Sequence, residues 1–223
     1  MKKKLVILLS FLFVFSFALT AQAKSVQLTK NKKYRVGKTI LTFKEGTKVE
    51  LFPNNAVKSA KMAGNLNYYY NNRKIIFEGS PRSIYFHKNG RIRMGVIGRR
   101  TTVPTKEGLM TAKPNTGVGF YDNGHVYMLI SYGVPKIKGI RFKKSKQIYF
   151  HKKNGKLHYG TLLRDTKYKG FTFKKDTYLY FHNNGKLAKG TLAKGKTVKK
   201  GLFKKKKLKA GKTYSFNRKG RVK

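Results

Sequence analysis

Apolar and polar residues alternate over short stretches of the chain after residue 24. A period of two is typical of β-strands with one buried face, because successive side chains point to opposite faces of a sheet. Beyond the N-terminal segment, no stretch repeats its apolar residues with the 3.6-residue period of a helix. The pattern therefore predicts an all-β fold.

Turn signals divide these stretches into similar units. Asn-Gly, the strongest short-range signal for a β-hairpin, occurs four times, and two weaker versions complete the series. The turns are Asn54-Asn55, Asn89-Gly90, Asn123-Gly124, Asn154-Gly155, Asn184-Gly185 and Lys219-Gly220. Their second positions are 35, 34, 31, 30 and 35 residues apart. We predict six units with type I′ turns, in which both central residues have positive φ.

Apolar residues stand at fixed distances from each turn. Four residues before the second turn position come Leu51, Phe86, Phe120, Phe181 and Phe216, and Phe150 joins them after one inserted lysine. Two residues after it come Val57, Ile92, Val126, Leu157, Leu187 and Val222. The pattern predicts two strands around each turn, with the phenylalanines on the buried face.

A third apolar segment recurs between the hairpins, as in Gly139–Lys144 and Gly170–Lys175. Each unit is therefore expected to hold three strands. Residues 95–119 are the least regular part and include Pro104 and Pro114, so we expect a longer loop there. The predicted fold is an array of about six short antiparallel hairpin repeats of 30–35 residues, forming an elongated twisted sheet or solenoid.

These units resemble the bacterial MORN-variant repeats. The likeness rests on aromatic strands followed by a turn glycine, as in Phe181–Leu187, and extends over roughly residues 35–223. It implies an elongated antiparallel sheet that docks to proteins, lipids or envelope surfaces. It implies no catalytic residues.

The N-terminal segment has the pattern of a secretory signal peptide. Lys2, Lys3 and Lys4 precede the apolar run from Leu5 to Thr20, and Ala21-Gln22-Ala23 offers a cleavage site. A 16-residue run would rise only about 24 Å as a helix, short of a bilayer core. We predict a signal peptide over 1–23, a basic β-repeat domain over 24–223, and no transmembrane segment after cleavage. The product would be periplasmic, attached to the cell surface or extracellular.

Charge indicates the class of partner. The chain has 53 Lys and Arg against 7 Asp and Glu, and 16 of the cations follow the last acidic residue, Asp176. The acidic residues are too few to form salt bridges with most of these cations, so most cations must face water, counterions or a polyanion. We predict a polyanion-binding surface at Lys186, Lys189, Lys199, Lys200, Lys204, Lys205, Lys206 and Lys207.

Tyrosine and histidine share the other face of the first strand of several units. Alternation places Tyr85, Tyr149 and Tyr180 there, together with His87, His151 and His182. If the units align, these residues form a stripe on which sugars or bases could stack. The alternative is that the tyrosines cover the second face of the sheet and the histidines merely flank the turns.

Catalytic and metal-binding patterns are missing from the sequence. The seven carboxylates form no close pair, no Gly-x-Ser-x-Gly motif occurs, and there is no cysteine. Equivalent histidines lie 31 or more residues apart, so we expect neither a metal site nor a cofactor. A non-enzymatic binding protein is therefore the favoured class.

Three partner classes remain open at this point. The leading hypothesis is an anionic polymer or lipid of the cell envelope, such as lipopolysaccharide, teichoic acid, peptidoglycan or anionic lipid. The second is extracellular nucleic acid, and the third is a protein partner held by an antitoxin-like or scaffolding repeat protein.

Overall fold

The computed structural model describes residues 24–36, 39–79, 81–199 and 205–223. Within these residues the chain forms 24 β-strands and no helix. Twelve strands form one antiparallel meander: β1 (Lys24–Gln27), β4 (Lys48–Leu51), β5 (Val57–Lys61), β8 (Ser83–Phe86), β9 (Ile92–Ile97), β12 (Thr116–Phe120), β13 (Val126–Ile130), β16 (Gln147–Phe150), β17 (Leu157–Thr161), β20 (Tyr178–Phe181), β21 (Leu187–Thr191) and β24 (Thr213–Ser215).

The other twelve strands form six short hairpins, which we call the second layer; one of these hairpins also joins the main sheet, through a pair between Phe77 and Ile97. They are β2 (Lys32–Val36) with β3 (Thr39–Phe43), β6 (Leu66–Tyr70) with β7 (Arg73–Phe77), β10 (Thr101–Thr105) with β11 (Gly108–Ala112), β14 (Lys136–Ile137) with β15 (Ile140–Arg141), β18 (Thr166–Tyr168) with β19 (Phe171–Phe173), and β22 (Lys196–Lys199) with β23 (Lys205–Leu208). Each precedes the next hairpin of the main sheet. The second layer covers one face of the meander, and we call the other face the open face.

The all-β hairpin array predicted from the sequence is confirmed, but the expected three strands per unit is wrong. The third segment pairs with a short strand just before it, as Lys167 and Thr172 pair between β18 and β19. A full unit therefore contributes two strands to the main sheet and two to the second layer.

The middle of the chain also differs from expectation. Residues 95–119 hold no long loop, because β10 and β11 form an ordinary second-layer hairpin there. Pro104 lies inside β10, opposite Leu109. Among the described residues β10 pairs only with β11, so β10 carries a proline without breaking a central ladder.

The Asn-Gly turns have a different geometry from the predicted type I′. Of the two turn residues only Gly90 has a positive φ, of 78°, and its N–H donates to His87 O at 2.8 Å. This is the pattern of a turn followed by a left-handed glycine, which introduces a bulge beside the turn. Three hairpins of the second layer, β6–β7, β14–β15 and β18–β19, have the primed pattern instead, as at Lys138 and Gly139, where both φ values are positive. The positive φ predicted for Gly155 and Gly185 is confirmed, at 67° and 79°.

The hydrophobic core lies between the main sheet and the second layer. Phe86, Phe150 and Phe181 are at most 1% exposed, which confirms their predicted side of the sheet. Glycines in the main sheet make room for aromatic rings of the second layer. A Cβ at Gly160 would lie 2.7 Å from Phe142 Cδ1, closer than real contacts allow.

Asparagines and histidines connect successive units. In the four Asn-Gly turns the asparagine Nδ2 atom donates to a backbone carbonyl in the next turn, as Asn154 donates to Asn183 O at 2.6 Å. The same contact recurs from Asn89, Asn123 and Asn184. Since Asn154 Oδ1 also accepts from Lys156 N, the turn asparagine both closes its own turn and fixes its neighbour.

The predicted signal peptide over 1–23 lies outside the described residues. The repeat array spans the described residues from 24 to 223. It contains all six predicted turn positions.

Candidate anion-binding surface

The open face carries one row of side chains across the sheet. Successive strand pairs place Tyr85 opposite Met94, Met128 opposite Tyr149, and Tyr159 opposite Tyr180. The row continues from Tyr180 to Lys189 and on to Ser215. The tyrosines predicted at 85, 149 and 180 therefore share a row, on the face opposite the buried phenylalanines.

Aromatic rings form a continuous ladder along this row. Tyr127 and Tyr149 have ring centroids 5.4 Å apart, Tyr149 and Tyr159 stack at 4.4 Å, and Tyr159 and Tyr180 lie at 4.9 Å. Burial raises the pKa of the Tyr159 hydroxyl, and the neighbouring Tyr149 raises it further. A tyrosine hydroxyl is protonated at neutral pH even without this shift, so the Tyr159 hydroxyl can donate a hydrogen bond.

A groove of about 350 Å³ lies at the C-terminal end of this ladder. We call it the histidine groove. Besides Asn183, its polar side chains are three imidazoles, two cations and a phenol: His151, His158, His182, Lys189, Arg218 and Tyr180. None of the described residues that line it carries a carboxylate. The arrangement is suited to an anion, with Lys189 placed 5.8 Å from the centre of the Tyr180 ring.

The histidines at the strand ends also hold the units together. Nε2 lies 2.8 Å from a carbonyl of the next unit in each case: His87 with Phe120 O, His151 with Phe181 O, and His182 with Phe216 O. Because a carbonyl only accepts, Nε2 must carry the hydrogen. In a neutral ring Nδ1 is then an acceptor, and it can donate to an anion only when the ring is protonated. Tyr121 takes the same place in its unit, and its hydroxyl donates to Phe150 O at 3.0 Å.

His158 is the titratable group of the groove with a shifted pKa. Its ring lies 4.3 Å from that of His151. Burial lowers the pKa of His158, and the adjacent His151 lowers it further. Tyr159 and Tyr180 pack against the same ring, and the groove adds Lys189 and Arg218. The surroundings therefore favour a neutral imidazole in the ligand-free protein.

This shift makes stability depend on pH. The pKa of His158 in the folded protein lies below the unfolded value of about 6.5. In acid the unfolded chain therefore binds more protons at this residue than the folded protein does. The contribution of His158 to the free energy of unfolding should be complete above about pH 6.5. It should be lost as the pH drops from there through the folded pKa. Urea unfolding from pH 7.5 downwards measures this. His158→Gln should flatten the fall, and an equally steep fall in the His158 variant would contradict the assignment.

The eight predicted lysines do not form one site. Lys189 lies on the open face, and Lys186 follows the Asn184-Gly185 turn. Lys199, Lys205, Lys206 and Lys207 belong to the hairpin β22–β23 of the second layer. Lys200 and Lys204 lie outside the described residues. The cationic surface therefore has two parts, one on each side of the sheet.

Ion pairs use few of the cations. Within the described residues four pairs form: Lys58–Glu50 at 3.7 Å, Lys138–Glu107 at 3.8 Å, Lys143–Asp176 at 2.6 Å and Lys152–Asp122 at 2.8 Å. Hydrogen bonds from Lys143 and Lys152 lower the pKa of Asp176 and Asp122 respectively. Since the whole chain has 53 Lys and Arg, most of its positive charge has no intramolecular carboxylate to neutralise it.

The sequence pattern did not identify His158, Tyr159 and Arg218. Tyr149 pairs with Tyr159 and Phe150 with Leu157, so His158 is one residue extra in β17. The contacts of His158 with His151 and of Tyr159 with Tyr149 show that both side chains reach the open face. Strict alternation cannot place two consecutive residues on one face. The turn glycine was the available signal, because a left-handed glycine after a turn brings such a bulge.

No group of three or more His, Asp or Glu side chains within the described residues is arranged to hold a metal ion. No helix long and apolar enough to cross a membrane occurs in the part of the chain that the structure describes. Comparisons with protein-family models, curated proteins and solved structures found no significant match to this chain.

Proposed function

We propose that this chain is an exported, non-enzymatic binding protein that docks to anionic surfaces of the cell envelope. The ligand class comprises lipopolysaccharide, teichoic acid, peptidoglycan and anionic lipid. The observation that carries the proposal is the histidine groove, in which Lys189, Arg218 and Tyr180 converge without a carboxylate. The unneutralised lysines of both surfaces support it.

Binding would work by many weak contacts in fixed geometry. The ladder of asparagine and histidine hydrogen bonds sets the spacing of the units, so cations on successive units can meet a repeating anionic polymer at the same time. Once one contact forms, the others act as intramolecular events, and overall affinity exceeds that of any single contact. The aromatic ladder offers ring faces beside these cations for the apolar faces of sugars.

Nucleic acid is the second candidate, and the aromatic ladder is the observation that favours it. Bases stack on exposed aromatic rings while cations track the phosphates. Tyr85 and Tyr178 are 37% and 51% exposed, so both rings are accessible on the open face. A third proposal is that the chain belongs to the MORN-variant repeat proteins and binds a protein partner.

The site-specific test compares two doubly substituted variants with equal net charge. Lys189→Gln with Arg218→Gln removes the cations of the histidine groove, and Lys194→Gln with Lys212→Gln removes two exposed cations outside it. Hydrogen bonds to charged groups contribute about 1.5–3 kcal/mol, so the groove variant should bind lipopolysaccharide or lipoteichoic acid at least roughly tenfold more weakly. The control should change affinity by less than about threefold.

Calorimetry with purified lipopolysaccharide and lipoteichoic acid in parallel gives both affinities. Equal losses in the two variants would show that affinity follows net charge alone. The histidine groove would then not be the binding site.

A further inference from the structure

A second groove, of about 510 Å³, opens on the side of the sheet that carries the second layer. It lies between the tips of hairpins β6–β7 and β10–β11 and the turns of the main sheet. Its side chains include Tyr68, Tyr70, Arg91, Lys106 and His125. We call it the hairpin-tip groove. It shares no lining residue with the histidine groove, and its size is that of a small-molecule site.

The two tyrosines are held by packing. Tyr68 lies 6.2 Å from the Phe77 ring and 6.3 Å from the Phe120 ring, and Tyr70 lies 5.0 Å from the Phe120 ring. Burial raises the pKa of both tyrosine hydroxyls, while the positive charge of Arg91 opposes the shift. The groove therefore presents two packed phenols, protonated at neutral pH like other tyrosines, beside a guanidinium.

Two turn glycines make room for the cations. A Cβ at Gly124 would lie 2.6 Å from Arg91 Nη1, so the guanidinium rests where any other residue would place a side chain. A Cβ at Gly155 would lie 2.9 Å from Lys106 Cγ and 3.1 Å from His125 Nδ1. The turns of two successive units thus form a floor on which three basic side chains gather.

Among the residues that the structure describes, no carboxylate lines the groove to balance these charges. Glu107, which is adjacent in sequence to the lining residue Lys106, is engaged elsewhere. Glu107 Oε1 accepts a hydrogen bond from Leu157 N at 2.9 Å and lies 3.8 Å from Lys138 Nζ. Among the described residues Arg91 and Lys106 form no ion pair, which leaves their charges for a ligand.

We propose that the hairpin-tip groove binds a phosphorylated sugar. Arg91 and Lys106 hold the phosphate, since a guanidinium fork and an ammonium both suit phosphate oxygens. The hydroxyls of Tyr68 and Tyr70 donate to sugar oxygens, and their rings form an apolar wall for the sugar carbons. The volume exceeds what a phosphate alone would fill, which favours the ester over the free ion. The site stands independently of the histidine groove.

Calorimetric titration tests this with glucose 6-phosphate, glucose, inorganic phosphate and a short ribitol-phosphate polymer. Glucose 6-phosphate should bind with one-to-one stoichiometry and at least roughly tenfold more tightly than inorganic phosphate or glucose. If the polymer binds and the free ester does not, and if Arg91 is needed for that binding, the sugar phosphate that the groove recognises is a unit of a polymer. Equal affinity for inorganic phosphate and glucose 6-phosphate would overturn the proposal.

Matched variants separate the site from general charge. Arg91→Gln should weaken glucose 6-phosphate binding at least roughly tenfold, while Arg93→Gln, whose side chain lies over the Tyr85 ring, should not. Tyr68→Phe should weaken it about threefold or more, whereas Tyr34→Phe, which packs on Phe43, should be silent. Equal losses in Arg91→Gln and Arg93→Gln would overturn the site. The Lys189 and Arg218 double variant should keep glucose 6-phosphate binding, which distinguishes failure of this proposal from failure of envelope docking.

Discussion

Replacing Gly160 by leucine should destabilise the protein strongly, and replacing Phe142 by alanine in the same chain should restore much of the loss. The Phe142 ring occupies the space above Gly160, where a Cβ would approach to 2.7 Å. Overpacking a core costs about 1–3 kcal/mol, and truncating a buried phenylalanine costs about 3–5 kcal/mol. Each single variant should therefore lower the free energy of unfolding by these amounts.

The reason to expect this rescue is that another unit of the same protein has the reverse arrangement of a small and a large residue. Ala112 bridges to Ser131 as Phe142 bridges to Leu162, and Leu129 precedes Ser131 by the same two residues as Gly160 precedes Leu162. Here the small residue belongs to the second layer and the large one to the sheet. Both Ala112 and Leu129 are fully buried. The double variant of Phe142 and Gly160 copies this natural combination.

Urea unfolding of the two single variants and the double variant gives the coupling energy. The double variant should be more stable than the summed losses by about 1–3 kcal/mol, the range found for residues in contact. Simple addition of the two losses would show that the sheet and the second layer do not exchange volume at this position.

The hairpins of the main sheet could be predicted because local chemistry determines them. A left-handed glycine is required at Gly90 and Gly185, and alternation then assigns Phe86 and Phe181 to the buried face. The second layer was only half predictable. Strand β14 has two residues, Lys136–Ile137, which is too short for a pattern of period two to be recognised.

The candidate site could be predicted only in part. Tyr180, His182 and Lys189 follow from the repeat, whereas Arg218 joins them from a turn that is distant in sequence. The hairpin-tip groove combines residues of three units, from Tyr68 to Gly155. Such convergence depends on how neighbouring units stack, and no sequence period reports it.

Affinity for an anionic polymer should fall steeply as salt is raised. Counterions condensed on a polyanion are released when cations replace them, so log affinity falls linearly with log salt. A protein that engages about six phosphates loses roughly a thousandfold in affinity between about 50 and 200 mM salt, on the scale known for duplex DNA. With cations on both faces of the sheet and few internal ion pairs, we expect a loss of this order.

Stacking has a different signature from charge. Tyr149→Ala with Tyr180→Ala removes two rings of the open-face ladder without changing the charge. If bases stack on them, affinity for single-stranded DNA should fall by about 1–3 kcal/mol per stacked base while the salt slope stays the same. If the ligand is an envelope polymer held by cations, the affinity for that polymer should fall by less than this amount in the same variant.

The most direct test of envelope docking is affinity for envelope polymers and for DNA, measured side by side at a physiological ionic strength of about 0.15 M. Sedimentation with lipopolysaccharide, lipoteichoic acid, purified sacculi and anionic lipid vesicles gives the first set of values, and DNA of equal phosphate concentration gives the second. We expect at least one envelope ligand to be bound more tightly than millimolar and more tightly than DNA. Binding of neither class more tightly than millimolar would contradict the account, and a protein partner would then be the leading alternative.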